Sequence, residues 1–191
     1  MFIEAILLGI ILGRLRSGKV SALEKVNFKG LGIILALLIF DIVFRFFLSS
    51  SQTSIANSLF IYYPVFSMII YLGTIIVLEI NKNIKNMRII EAGFILNFLP
   101  MALNGGKMPV LKSALLEIGK TREAQIMEQG LMLGHKLIDN NTRFSLLADF
   151  IPLNIFIPKV ISLGDIVIAI GIILFISHYM TIGRKVPKTK R

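Results

Sequence analysis

The sequence predicts an all-α integral membrane protein with about five transmembrane helices. An outer cap of short amphipathic helices and extended loop completes what reads as a single membrane domain, 1–191. Three observations carry this. Hydrophobic residues make up 55% of the chain and charged residues only 17%, at a mean hydropathy of +0.78. That is more apolar surface than a soluble domain of this size can bury. The apolar residues fall in long, nearly uncharged runs, the pattern of helices that meet lipid. Basic residues crowd alternate connections between the runs, as the positive-inside rule requires.

The first helix is expected over 2–16. It is apolar from Phe2 to Gly13 except for Glu4, and Arg14 and Arg16 follow at once. A secretory signal peptide has basic residues before its apolar stretch and small residues after it. Here the flanks are reversed, so the segment is expected to insert with its N-terminus outside. It is short for a span, which a locally thinned bilayer or snorkelling arginines accommodate. Arg14, Arg16, Lys19, Lys25 and Lys29 form the first inner connection. The second helix is expected over 31–48, followed by a charge-free outer loop from Ser49 to Ala56. The third, over 59–80, is the longest, with its one charge, Glu79, at the inner end; Lys82, Lys85 and Arg88 follow. The fourth covers 87–103 and contains Glu91, Asn97 and Pro100. The fifth covers 161–180, and a tail with Arg184, Lys185, Lys188, Lys190 and Arg191 follows on the cytoplasmic side. The three inner segments hold thirteen of the 21 basic residues, and the short outer loop holds none. Tyr62, Tyr63 and Tyr179 are the expected interfacial aromatics in a chain without Trp. The richness in Ile, Lys, Asn and Phe suits an AT-rich bacterial genome, so the expected location is a bacterial inner membrane, with the lipid bilayer as the first partner.

An ionisable group in hydrocarbon costs about 3 kcal/mol or more, so each one needs a partner or a purpose. A rise of about 1.5 Å per residue gives each a depth. Asp41 falls near mid-membrane with Arg45 one turn further out, four residues apart and so able to pair. Asn97 reaches the depth of Asp41. Glu4, Arg45, Asn104 and Asp165 make an outer polar layer, Asp41 with Asn97 a middle one, and Glu91 with His178 an inner pair. Interhelical pairing is one purpose for such layers, an outward-opening polar pocket a second, and an ion or proton path a third.

The segment 104–160 is the expected outer cap. Pro109 suits the first turn of a helix running to Ile118, Gly119 breaks it, and Thr121 is placed to cap a second short helix ended by Gly130. The stretches before Pro152 and Pro158 read as extended. Ser162 reads as the cap of the last helix, with Asp165 as the acidic third position of a capping box. Asn104-Gly105-Gly106-Lys107 offers exposed backbone N–H groups and a cation, a nest able to hold an anion such as a lipid phosphate; the same residues also stop a transmembrane helix. His135 and Asp149 are an acid–base candidate.

There is no cysteine, which excludes disulfides, thiolate metal sites and Cys nucleophiles. No serine elbow, metal-ligand cluster or phosphate-binding glycine loop accompanies the candidates, so neither metal nor cofactor is expected. The net charge of +10 is not read as nucleic-acid binding, because it sits in membrane-flanking loops without a binding module.

Asn104-Gly105-Gly106-x-Met108-Pro109-Val110, followed by His135, Thr142, Leu146-x-x-Asp149-x-Ile151-Pro152 and Ser162-x-Gly164-Asp165, resembles a family of small bacterial membrane proteins known only as a domain of unknown function. The resemblance implies a polytopic membrane protein with a shared outer motif, and no activity. The expected role is a non-catalytic module binding a polar or anionic ligand, or a partner subunit of a membrane complex, at its outer face. Its expected site is Asn104, Gly105, Gly106 and Lys107 with Arg45, His135, Asp149 and Asp165. The alternatives are an enzyme acting on a lipid-linked substrate through His135 and Asp149, and a small-solute or ion carrier using the polar layers.

Overall fold

Ala5, Gly9 and Gly13 recur every four residues along α1 (Phe2–Leu15) and are its buried positions, so one face of that helix is nearly flat. The last helix, α7 (Leu163–Thr181), lies against it. A Cβ placed on Gly9 would stand 3.0 Å from the Ile176 Cβ, and one on Gly13 would stand 2.5 Å from the Met180 Sδ. α7 meets α4 (Met87–Leu103) the same way: a Cβ on Gly93 would lie 2.7 Å from the Gly164 carbonyl oxygen, and one on Gly171 would lie 2.9 Å from the Ile90 backbone nitrogen. Close approach through small residues is how helices associate where lipid offers no hydrophobic driving force. α3 (Ser54–Ile80) packs on α4, and α2 (Leu31–Ser50) on α3, so the lateral order is α1–α7–α4–α3–α2. Leu48 is the buried residue of α2; Leu35, Leu38, Ile39 and Phe46 on the same helix stand exposed. The computed structural model describes residues 1–50 and 53–182, so the basic tail from Arg184 and the middle of the expected outer loop lie outside the described residues.

The molecule is mostly helical, and among the described residues three helices are long and apolar enough to cross a membrane: α2, the 58–80 stretch of α3, and α7. α1 and α4, with 14 and 17 residues, fall short of the ~20 residues a span typically takes. The expected outer loop is shorter than its sequence suggests. α3 starts at Ser54 because Thr53 accepts a hydrogen bond from the Ala56 N–H at 3.2 Å, a cap that charge patterning does not reveal. At the other end, Asn81 staples two connections together, donating to Lys29 O at 2.7 Å and accepting from Lys29 N at 2.8 Å.

The segment 104–160 needs the most correction. Pro109 does not open a helix. It lies inside β1 (Met108–Val110), which runs parallel to β2 (His135–Leu137) with Met108 opposite His135. The fixed φ of proline serves a strand as well as a first helical turn, and its carbonyl accepts from Asp149 N at 2.9 Å. The helix starts later, as α5 (Lys112–Glu117). Thr121 is the first residue of α6 (Thr121–Glu128) and Lys120 its cap, without a side-chain cap bond. Gly119 and Gly130 follow the two helices with left-handed φ of 77° and 71°. The extended reading holds at Pro152, where β3 (Ile151–Leu153) pairs antiparallel with β4 (Lys159–Ile161), but not before Pro158, where the chain bends and Phe156 takes a left-handed φ of 52°. Val110, Leu115, Ala124 and Met127 form a small core of their own beneath these elements.

Candidate functional site

Asp41 and Arg45 share one face of α2, and the expected pair forms: Arg45 Nε donates to Asp41 Oδ2 at 2.8 Å. The other carboxylate oxygen accepts from the Tyr63 hydroxyl of α3 at 2.8 Å, and the Arg45 guanidinium lies 5.1 Å above the Tyr63 ring. Tyr63 is therefore fully buried rather than interfacial, because its hydroxyl completes the carboxylate's partners. Tyr62, one residue away and 100° round the helix, is exposed.

A second group closes around the start of α7. Ser162 Oγ accepts from Asp165 N at 3.0 Å, and Asp165 Oδ2 accepts from Ser162 N at 3.2 Å, the reciprocal capping box that the spacing predicts. Asn97 of α4 reads both residues, accepting from Ser162 Oγ at 2.7 Å and donating to Asp165 Oδ1 at 3.0 Å. Asn97 therefore belongs to this ring and not to a middle layer with Asp41. Among the described residues no buried side-chain nitrogen or oxygen lacks a hydrogen bond.

The third group comes from the strands. β1 is flanked by β2 and by Asp149, which bridges to Val110. This brings His135 Nε2 to 4.0 Å from Asp149 Oδ2. Burial, and secondly the Asp165 carboxylate, push Asp149 up to about 8. Burial, and secondly the Arg45 charge, push His135 down to about 4. Near neutrality the pair is thus a protonated acid facing a neutral imidazole, not an ion pair. Only 11% of the Asp149 side chain is exposed against 37% of His135, and the exposed part of His135 borders the cavities it lines. Lys159 on β4 closes the group through an ion pair with Glu4 of α1.

These groups meet in one chamber of about 300 Å³ bordered by Arg45, Asn97, His135, Asp149, Lys159 and Asp165. Two further cavities of about 420 and 460 Å³ also have Arg45 and His135 in their walls. Four of the eight expected site residues, Arg45, His135, Asp149 and Asp165, therefore come together from four separate parts of the chain.

The other four do not border that chamber. Asn104 ties the last turn of α4 to the loop at Arg143, donating to Pro100 O at 2.7 Å and Arg143 O at 2.8 Å and accepting from Arg143 N at 3.0 Å. Gly105 and Gly106 hold φ of 71° and 77°. A Cβ on Gly106 would stand 2.6 Å from the Pro64 carbonyl oxygen of α3, and its N–H already donates to Met101 O at 2.8 Å. With β1 following, no helix N-terminus adds its dipole to the turn. Lys107 Nζ donates to Met132 O at 2.9 Å. The Asn-Gly-Gly-Lys stretch thus stops α4 and packs it on α3. At the far end of α4, Glu91 pairs with Arg88 at 3.1 Å, and the His178 ring stands edge-on to Tyr179 at 5.1 Å.

Sequence reasoning missed Lys159 and Tyr71, which border the chamber, and Tyr63, which donates to the Asp41 carboxylate behind Arg45. Lys159 carried one signal, a lone cation between Pro158 and an apolar helix; the tyrosines carried none that separates a buried ring from an interfacial one. Among the described residues no group of three His, Asp or Glu side chains is arranged to hold a metal.

Residues 25–177 match the profile of a family described as "Family of unknown function (DUF5317)". A Thermotoga maritima protein described as uncharacterized is 33% identical over 99 residues, 50% of this chain and 52% of the relative. The chain thus spans about half the length of that relative. No solved structure matches.

Proposed function

The chain belongs to the DUF5317 family of unknown function, and we propose that it is a bacterial inner-membrane protein holding a small polar ligand in the Arg45–His135–Asp149–Asp165 chamber. The reading takes the chain as one five-span domain, N-terminus outside and C-terminus cytoplasmic, with 104–160 as the outer cap. Three long apolar helices and the charge alternation of the connections support it. The carrying observation is the convergence of those four side chains, from α2, β2, the Val110 bridge and α7, on one cavity. The ligand is polar rather than strongly anionic. Arg45 is matched by Asp41, and Glu4 is shared by Lys159 and the Met1 ammonium, while Asp165 adds a third carboxylate, so cations and anions at the walls are equal in number. Native mass spectrometry of the protein, gently extracted from its own membrane, tests this. A small molecule at one-to-one stoichiometry, lost in both Arg45→Gln and His135→Gln, is the expected result. Protein that carries only a partner chain would make this an accessory subunit and overturn the ligand reading.

A second reading has its own observation. A protonated Asp149 beside a neutral His135, 4.0 Å apart, is an acid and a base in position for proton transfer. An enzyme acting on a lipid-linked substrate would use them in those roles. Asp149→Asn then abolishes turnover while leaving the bound molecule in place, whereas a pure binding module loses no cellular function.

A further inference from the structure

The polar chamber has an apolar neighbour. A cavity of about 380 Å³ lies between α1 and the β3–β4 hairpin, walled by Ile3, Leu7, Phe156 and Ile157, and it shares Lys159 and Met1 with the chamber. Both volumes fall in the range of small-molecule pockets. The two spaces differ in chemistry: the chamber mixes its polar groups with Met101, Met108 and Val160, whereas the neighbour, apart from Glu4 and Lys159 at its neck, is walled by aliphatic and aromatic carbon. A molecule that fills both has a polar head and an apolar chain.

The hairpin tip is built to present carbon outward. Ile155, Phe156 and Ile157 are exposed, Phe156 at 84%. Phe156 holds a left-handed φ of 52°, a conformation that bulky residues rarely adopt and that persists where the surroundings impose it. Pro152 and Pro158 stiffen the two arms of the turn. The tip is continuous with the exposed face of α1, where Ile3 and Leu7 are open as well. An apolar loop beside an apolar helix face, with no core of its own to join, suits contact with lipid.

We propose that the ligand is a membrane lipid. It is taken sideways from the outer leaflet between α1 and the β3–β4 hairpin, its acyl chain against Leu7 and Phe156 and its headgroup at Lys159 in the chamber. This rests on the reading of the chamber as a polar-ligand site. Because the chamber charges are balanced, the headgroup is zwitterionic or uncharged. The pairing of Lys159 with Glu4 puts a cation and an anion at the neck, matching the phosphate and amine of a zwitterionic head.

The chain has no Trp, so Phe156→Trp gives a single reporter. The full-length variant is placed in nanodiscs of anionic phosphatidylglycerol containing a rising fraction of phosphatidylcholine spin-labelled on its acyl chain, so that a site selective for a zwitterionic head enriches the label over the bulk. Leu38→Trp, on the exposed face of α2 (51% exposed), reports bulk lipid. The expected result is quenching of Phe156→Trp that saturates at a several-fold lower labelled fraction than Leu38→Trp, an advantage lost on adding Lys159→Gln or Leu7→Ser. Quenching curves that coincide for the two positions overturn the proposal, since the tip would then meet only bulk lipid. Soluble glycerophosphocholine, followed through the His135 imidazole resonances in a His178→Asn background, separates the two ideas. If it perturbs His135 while the curves coincide, the chamber still binds a polar head and only the lipid assignment falls. If it leaves His135 unmoved and the curves coincide, both fall.

Discussion

At the scale of single residues, Asp149 sets the sharpest expectation. Its value rises from 3.8 unfolded to about 8 folded. Between those pH values the native chain holds a proton that the unfolded chain releases, so this contribution to stability is lost as pH rises. His135 runs the other way, from 6.5 down to about 4. From pH 4 to 6.5 the unfolded chain binds the extra proton, and stability increases with pH. The two slopes oppose each other below 6.5, and from 6.5 to 8 only that of Asp149 remains. Because solvent screens the partly exposed His135, thermal unfolding followed by circular dichroism in fixed detergent is expected to show a gentler loss of stability below pH 6.5 than above it, and a loss of up to about 2 kcal/mol between pH 6.5 and 8. Asp149→Asn is expected to abolish that fall. Tyr63→Phe is a second case. It leaves Asp41 one hydrogen bond short and is expected to cost about 1.5–3 kcal/mol, read as a lowered melting temperature at unchanged helix content. The Asp41–Arg45 pair was legible because both partners sit on one helix at a fixed spacing. Tyr63 was not, because its partner is 22 residues away on another helix and nothing in a sequence fixes the rotation of one helix against another. For the same reason Asn97 is expected in a layer with Asp41, whereas it joins Ser162 and Asp165, the latter an expected member of the outer layer.

At the scale of elements, the row of helices depends on glycine contacts. Gly93→Ala would press a methyl group to 2.7 Å from the Gly164 carbonyl oxygen, and Gly164→Ala would bring one to 2.0 Å from Asn97 Oδ1. Each is expected to destabilise by about 1–3 kcal/mol as overpacking, and Gly164→Ala also to break the Asn97–Ser162–Asp165 ring. Gly32→Ala on α2, with nothing within 4 Å of the new carbon, is expected to be neutral or mildly stabilising through helix propensity. Melting curves of the three variants check the contrast. The five hydrophobic segments were legible because apolar runs announce themselves. The spacing of Ala5, Gly9 and Gly13 was visible too, and it names the flat face of α1, though not the helix that fills it. The three-residue strands were illegible: they are too short to show alternation, and β1 and β2 are held together by pairing across some 25 intervening residues.

At the scale of the whole molecule, the proposed orientation puts Lys120 in the outer cap. A single cysteine at Lys120 in this cysteine-free chain is expected to react with a membrane-impermeant maleimide in intact cells. Reaction only after the cells are opened would invert the topology. Arg45 and Asp165 border one cavity at helix positions whose depth can be counted, whereas His135 and Asp149 reach it from a strand and a bridge that no such count places. The other half of the expected site separated because a turn that stops a helix and a turn that cradles an anion look alike in sequence. The lateral order of the helices also bears on how the molecule is made. α1 is synthesised before α2, α3 and α4, yet the partner for its glycine face is α7, which is synthesised after them. At roughly 5–20 residues per second, on the order of 10–30 s pass between the synthesis of α1 and that of Leu163, time that α1 spends in the bilayer without its partner under the proposed topology. During biogenesis it is an orphan segment, and a chain cut before Leu163 is expected to leave it permanently so, degraded by membrane quality control while the α2–α3–α4 bundle forms beside it.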